Sequence, residues 1–319
     1  MKSRTKYLLK ARIRSRLIKK RKRRFISFKG IIVSLLILLI PMLIMFILNI
    51  SEQKPSDVYE IRTQKDLYIP NEYLKKAYTK ANSEGISFPK LLTYSANEAD
   101  FAVEAYTDKV LRNAVKLAKK NEEMTKPQKA LYDIYAKVFD DLRVGPIPNK
   151  KEIYIWNENK NKWEMKDTEE YCYISEDDFG AARSYGGDRT HEGNDLIADL
   201  GTPIVSMTDG EITRIGWLEY GGQRIGITTS KGTYFYYAHM DRYAEGMVKG
   251  KKVRAGDIIG YIGDTGYGPP GTKGKFPPHL HVQIGFRRGE FSKGYTWFNP
   301  YDIVKFLDDY RVTLVEKKN

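Results

Sequence analysis

Three textures of apolar and polar positions succeed one another along the chain. Residues 31 to 50, IIVSLLILLIPMLIMFILNI, are twenty positions without a charge. At about 1.5 Å per residue a helix of that length spans roughly 30 Å, the thickness of a bilayer core. The run therefore predicts a transmembrane anchor, in which Pro41 is tolerable because neighbouring groups satisfy the freed carbonyl. A cleavable signal peptide fits less well, since the run is long for one and ILNISEQKP lacks a small-x-small cleavage site. In the second texture, apolar residues recur at three- and four-residue steps. Leu131, Ile134, Tyr135, Val138, Phe139 and Leu142 mark a helix after Thr125, with Gln128 completing a capping box and Pro127 in the first turn. Val103, Tyr106, Val110, Ala114 and Leu117 mark another. Residues 51–143 read as a linker and a small helical module, a spacer that packs on itself and lifts the downstream domain off the membrane.

Beyond VGPIPNK the third texture begins. EIYIWNENKNKWEM predicts a strand, a polar turn and a strand, within a β connector over 144–175. TPIVSM, EITRIGWLEY, QRIGITT and TYFYYAHM then alternate with the turns DG, GG and SKG. They predict an antiparallel all-β domain over 176–308, with a tail over 309–319. The fold class is α+β overall.

Charge changes the picture at one end only. The formal net charge is +14, but the first 30 residues hold 14 Lys or Arg and no acid, leaving 40 basic and 40 acidic residues in the rest. A nucleic-acid-binding domain needs a basic face on its folded part, so no nucleic-acid partner is expected. The basic tail, 1–30, instead holds the N-terminus in the cytoplasm by the positive-inside rule and touches anionic headgroups. Everything after residue 50 is then extracytoplasmic. The single cysteine, Cys172, rules out an intrachain disulfide and reads as a buried strand residue.

All four histidines, His191, His239, His279 and His281, fall inside the β domain. Singly each has an ordinary explanation as a core or surface residue; together they read as a site. In PHLHVQI the pair two apart shares one face of a strand. In THEGND, His191 and Asp195 are separated by a glycine, which argues for an extended or turning backbone rather than the helix of H-E-x-x-H proteases. A histidine and a carboxylate from THEGND with one strand histidine make three ligands for zinc. The fourth position is left for water, as in catalytic sites.

THEGNDLIADLGTPIVSMTDGEI, YAHM and PHLHVQI, in that order and with GDIIGYIGDTG before the last, resemble the lysostaphin/LytM family of zinc peptidoglycan endopeptidases. The resemblance runs from near Ser184 through FNPYDIV and implies a grooved fold of the duplicated hybrid type with one Zn2+ on its floor. It implies His191, Asp195 and His281 as ligands, and His239 and His279 as catalytic histidines. On that division His279 is the general base and His239 stabilises the oxyanion. The family's substrates are peptidoglycan peptides. The basic tail, anchor, spacer and SYGGDRTHEGND together look most like the LytH-type L-Ala–D-Glu endopeptidases of spore wall maturation. Some family members have lost ligands and serve as wall-binding or scaffolding modules; here all five positions are filled. YGPPGTKGKFP, between GDTG and PHLH, is longer than the family's usual linker and is expected to rim the groove. Tyr185, in SYGGDRT, is a further candidate substrate contact. GISFPKLLTYSANEADF resembles the helix carrying the catalytic glutamate of lysozyme-like transglycosylases, which would single out Glu98. No companion glycine-rich motif comes after it, and a surface glutamate is the better reading. No protein partner is readable from the chain.

Overall fold

A computed structural model describes residues 68–120, 122–183, 189–287 and 294–318. The basic tail, the apolar run 31–50 and Tyr185 lie outside the described residues. Among the described residues no helix is long and apolar enough to cross a membrane.

Four helices come first: α1 (Asn71–Glu84), α2 (Phe88–Glu98), α3 (Asp108–Lys119) and α4 (Lys126–Phe139). The Thr125 hydroxyl accepts the Gln128 N–H, and the Gln128 side chain accepts the Thr125 N–H, so the capping box forms as its spacing predicts. Leu131, Tyr135, Val138 and Phe139 are buried along α4. The preceding helix starts later than its apolar periodicity implies. The Thr107 hydroxyl accepts the Val110 N–H and caps α3, while Val103–Ala105 form a short 3-10 turn with Val103 42% exposed. A side chain that satisfies an orphan N–H outweighs one more apolar step.

The strands are β1 (Lys150–Asn157), β2 (Lys162–Glu170), β3 (Ala182–Arg183), β4 (Arg189–Thr190), β5 (Asn194–Ile197), β6 (Pro203–Val205) and β7 (Gly210–Leu218). They continue with β8 (Gly222–Thr228), β9 (Tyr234–Tyr243), β10 (Lys252–Val253), β11 (Ile258–Ile262), β12 (His279–Arg287) and β13 (Tyr295–Phe298). A short helix, α5 (Tyr301–Leu307), and β14 (Thr313–Lys318) complete the chain. Nine strands form one antiparallel sheet in the order β10-β7-β8-β9-β11-β6, and β12 joins it by pairing with β9, β5 and β13. Leu196, Ile212, Ile227, Phe235, Tyr237, Leu280 and Ile284 pack its core face.

Two features depart from the reading as separate modules. The tail is not a free end: β14 pairs in parallel with β1, so connector and tail form a three-stranded sheet, β14-β1-β2. Nor does the helical module pack only on itself. Tyr78 and Phe88 contact Phe306 of α5 at ring distances of 5.6 and 5.9 Å, and Asn71 donates two hydrogen bonds to Asp302. Val205 N–H donates to Pro146 C=O and Arg143 N–H to Met207 C=O, which fastens the exit of the module to the sheet. One apolar core runs through both parts. Cys172 is exposed, on the segment between β2 and β3, rather than buried in a strand. Its neighbours Tyr171 and Tyr173 take the inward positions instead.

A shared core predicts shared unfolding. Leu131→Ala should cost about 2–5 kcal/mol. It should shift one common transition, seen alike by far-UV circular dichroism and by tryptophan fluorescence of the β domain; two separated transitions would show independent modules.

Candidate active site

β12 positions the site. His281 lies directly opposite Asp195 of β5 on one side and Ala238 of β9 on the other. Its imidazole and the aspartate therefore meet on one face, with His281 Nδ1 2.8 Å from Asp195 Oδ1. His191, on the turn between β4 and β5, brings Nε2 to 3.1 Å from the same oxygen and 2.8 Å from His281 Nδ1. Gly193 makes this turn possible. A Cβ there would lie 2.5 Å from the Val282 carbonyl oxygen and 2.6 Å from the His281 ring.

Three donor atoms thus converge: two imidazole nitrogens and a carboxylate oxygen, a group that could hold a metal ion. Tetrahedral bonds of about 2.0–2.1 Å put neighbouring ligand atoms roughly 3.3 Å apart. The observed 2.8–3.1 Å triangle is close to that, so the donor set fits a zinc-sized ion with a position open to the cleft.

The outer contacts support the same geometry. Asp178 Oδ2 lies 3.0 Å from His191 Nδ1, which fixes the ring and directs Nε2 inward. The Arg183 guanidinium reaches both Asp178 (2.6 Å) and Asp195 (3.0 Å) and clamps the two carboxylates. Burial works against charge on His191, yet Asp178 and Asp195 outweigh it and raise its pKa from 6.5 to about 9. Burial likewise opposes charge on Asp195, but hydrogen bonds from His191 and His281 hold it far below the usual carboxylate range. The His281 pKa is lowered, chiefly by burial.

His239 and His279 complete the cluster, their rings 4.6 Å apart. β9 carries one extra residue against β8 here, because Gln223 pairs with Met240 while Ile225 pairs with Tyr237. Such a bulge re-aims a side chain, and His239 adopts the left-handed region at φ 61°. His239 Nδ1 lies 2.8 Å from the Thr265 carbonyl and His279 Nδ1 2.8 Å from that of Pro277. A carbonyl only accepts, so both Nδ1 atoms carry a proton; on His239, whose charge burial suppresses, Nε2 is left as an acceptor, while His279 Nε2 lies 3.7 Å from Asp195 Oδ1. Burial, with His279 and His281 nearby, pushes the His239 pKa down to about 3.

The five residues line a cleft of about 290 Å³. Tyr267 and Phe276, from the long loop before β12, form its wall, with Phe276 against His239 at 4.7 Å and His279 at 5.0 Å. That loop borders the groove as its length and position predict. Glu98, by contrast, is an exposed residue at the end of α2, where it accepts from Asn113. Asp178 and Arg183 were missed by sequence reasoning. They stand 13 and 8 residues before His191, in ISEDDFGAAR, a stretch with no spacing that announces a ligand's partner.

A family model described as Peptidase family M23 matches residues 189–292. The L-Ala–D-Glu endopeptidase of Bacillus subtilis (strain 168) is 42% identical over 142 residues, 44% of this chain and 42% of that protein. Lysostaphin of Staphylococcus simulans is 37% identical over 95 residues, 29% of this chain and 17% of lysostaphin. The chain therefore spans less than half the length of these two relatives. A solved structure of a LytM protein from Ruminococcus gnavus ATCC 29149 is similar with a TM-score of 0.58 at 32% identity. That likeness covers 82% of this chain and 96% of the other, so it extends well beyond the β domain.

The contacts of His191 generate two expectations. Metal needs this imidazole uncharged, whereas the metal-free site keeps it protonated below about pH 9. Loading at pH 7 should release one proton, and apparent affinity should rise about tenfold per pH unit until about pH 9. Titration calorimetry in two buffers of different ionisation enthalpy measures this; a buffer-independent heat would contradict it. Asp178→Asn should weaken zinc binding about 10–100-fold in competition with a chelator.

Proposed function

The chain belongs to peptidase family M23, and we propose on that basis that it is a membrane-anchored zinc metalloendopeptidase acting on the peptides of bacterial peptidoglycan. The convergence of His191, Asp195 and His281 beside two further histidines carries this reading. A scaffolding member that had lost catalysis would have no reason to retain all five groups.

Zinc bound by this tripod supplies positive charge that acidifies a water and polarises the substrate carbonyl. His279, whose Nε2 lies at the cleft 3.7 Å from Asp195 Oδ1, takes the proton of the attacking water and returns it to the leaving amine. For His239 we propose a role other than the oxyanion donor implied by family resemblance. With Nδ1–H committed to Thr265 and its charge suppressed by burial, Nε2 has no proton to donate before the reaction begins. We assign it instead to accepting a hydrogen bond from the water and orienting it. Arg183 keeps Asp195 and Asp178 in place throughout.

We further propose the L-Ala–D-Glu bond as the one cut and spore wall maturation as the setting. Similarity to the Bacillus subtilis enzyme supports the bond, and the resemblance to LytH-type enzymes supports the setting. The anchor over 31–50 and the extracytoplasmic placement of the peptidase rest on the uncharged run and the basic tail.

Full-length protein in detergent, loaded with zinc and given peptidoglycan, should release fragments with a new N-terminal D-Glu by mass spectrometry, and a chelator should abolish their release. His281→Ala should lose the metal, while His279→Ala should keep it and lose turnover by about 10²–10⁴-fold. Equal zinc loss in both variants would overturn the division of roles.

A further inference from the structure

The cleft floor does not stop at the metal site. Residues 281, 283 and 285 of β12 share one face of the sheet, and their partners on β9 are Ala238, Tyr236 and Tyr234. On the far side Gly285 also pairs with Trp297 of β13. His281, Gln283 and Tyr236 line the cleft, so the row of Tyr234, Gly285 and Trp297 continues the same floor.

That row is paved with rings. A Cβ on Gly285 would sit 2.6 Å from the Trp297 indole, so the indole lies across the β12 backbone, where any larger residue would lift it. Tyr295 stacks against Tyr234 at 4.7 Å and 25°, and against Trp297 at 5.2 Å and 28°. Tyr234 is buried, whereas Tyr295, Trp297 and Tyr236 are half-buried. Trp297 also neighbours Glu192, a residue that lines the cleft. Packing of the sheet alone does not require near-parallel aromatic rings at a surface with polar groups along their edge. A pyranose does suit such a surface, since its C–H face stacks on rings while its hydroxyl and acetamido groups reach the polar edge.

Resting on the peptidoglycan endopeptidase reading, we propose that Tyr295, Trp297 and Tyr236 form a sugar-binding platform. It would hold the amino-sugar end of the substrate while the adjoining peptide lies over the metal site. Distance favours this occupant. Strand rise of about 3.3 Å per residue puts the Gln283 row roughly 7 Å, and the Gly285 row roughly 13 Å, from His281. In an L-Ala–D-Glu substrate only one alanine and the lactyl group separate the cut bond from the muramic acid ring. At about 3.5 Å for each, the sugars begin roughly 7 Å from the bond. Tyr295 stands one row further, opposite Arg287 and roughly 20 Å from His281, with its ring stacked back on Tyr234. A cut at the far end of the stem, five such units from the ring, would put the sugar roughly 17 Å away, beyond the Tyr236 and Trp297 rows.

The test compares two ligands on metal-free full-length protein, where nothing is cleaved. One is the disaccharide tetrapeptide carrying N-acetylglucosamine and N-acetylmuramic acid; the other is the same tetrapeptide with an N-terminal lactyl cap and no sugar. Wild type should bind the sugar-bearing ligand at least tenfold more tightly. Trp297→Ala and Tyr295→Ala should each erase that ratio while leaving the affinity for the sugarless peptide unchanged, and Trp297→Phe should retain most of it. Equal affinities in wild type, or an equal loss for both ligands in both alanine variants, would overturn the platform. The peptidase reading fails separately, if zinc-loaded protein leaves both ligands uncut.

Discussion

The pairing of β12 with β5 is the constraint on which everything else at the site depends. It sets Asp195 against His281, and both strands that carry the candidate ligands take their positions from it. A slip of one residue would turn His279 and His281 to the core and send Leu280 and Val282 into the cleft. What resists the slip is the core face itself, where Leu280, Val282 and Ile284 are fully buried. The apolar alternation of this strand, unremarkable as packing, is therefore what holds the chemistry in register.

Around that pair the protein maintains an electrostatic balance that a bare cluster of histidines could not. Two imidazoles held uncharged by burial, His239 and His281, sit beside one that carboxylates keep charged in the absence of metal. Arg183 offsets the two carboxylates and limits their repulsion. The site thus presents nitrogen lone pairs toward the cleft on one side and a fixed, neutralised anion pair on the other. The five inner residues all lie within residues 189–292, the stretch that the M23 family model matches. The Asp178–Arg183 clamp lies ahead of residues 189–292.

Much of this was legible in the chain. Two histidines at i and i+2 on a strand must share a face, and the glycine inside THEGND argued for an extended or turning backbone rather than a helix. The Thr125–Gln128 box likewise announced a helix start that the structure contains. Long-range partners were not legible, because nothing local encodes them. Asp178 reads as one more acid in a polar stretch, and the bulge that turns His239 appears only when β8 is laid beside β9. The half-burial of Tyr171 and Tyr173 around an exposed Cys172 involves Asp308 and Arg311, more than 130 residues away, and no period in 313–318 assigns β14 to β1. The anchor and basic tail belong to a different kind of inference, resting on composition alone.

The docking of the first helices on α5 has a consequence for how the molecule is made. Asn71 finds its partner Asp302 across 231 residues of chain. At synthesis rates of about 5–20 residues per second, roughly 10 to 50 s separate the emergence of these two groups. For that interval the faces of Tyr78 and Phe88 that will meet Phe306 have no partner, and β1 likewise waits for β14, the last strand made. The enzyme therefore closes from its last-made end. A nascent chain stalled just after β12 would already carry all four histidines, yet lack the segment that seals the rest of the fold.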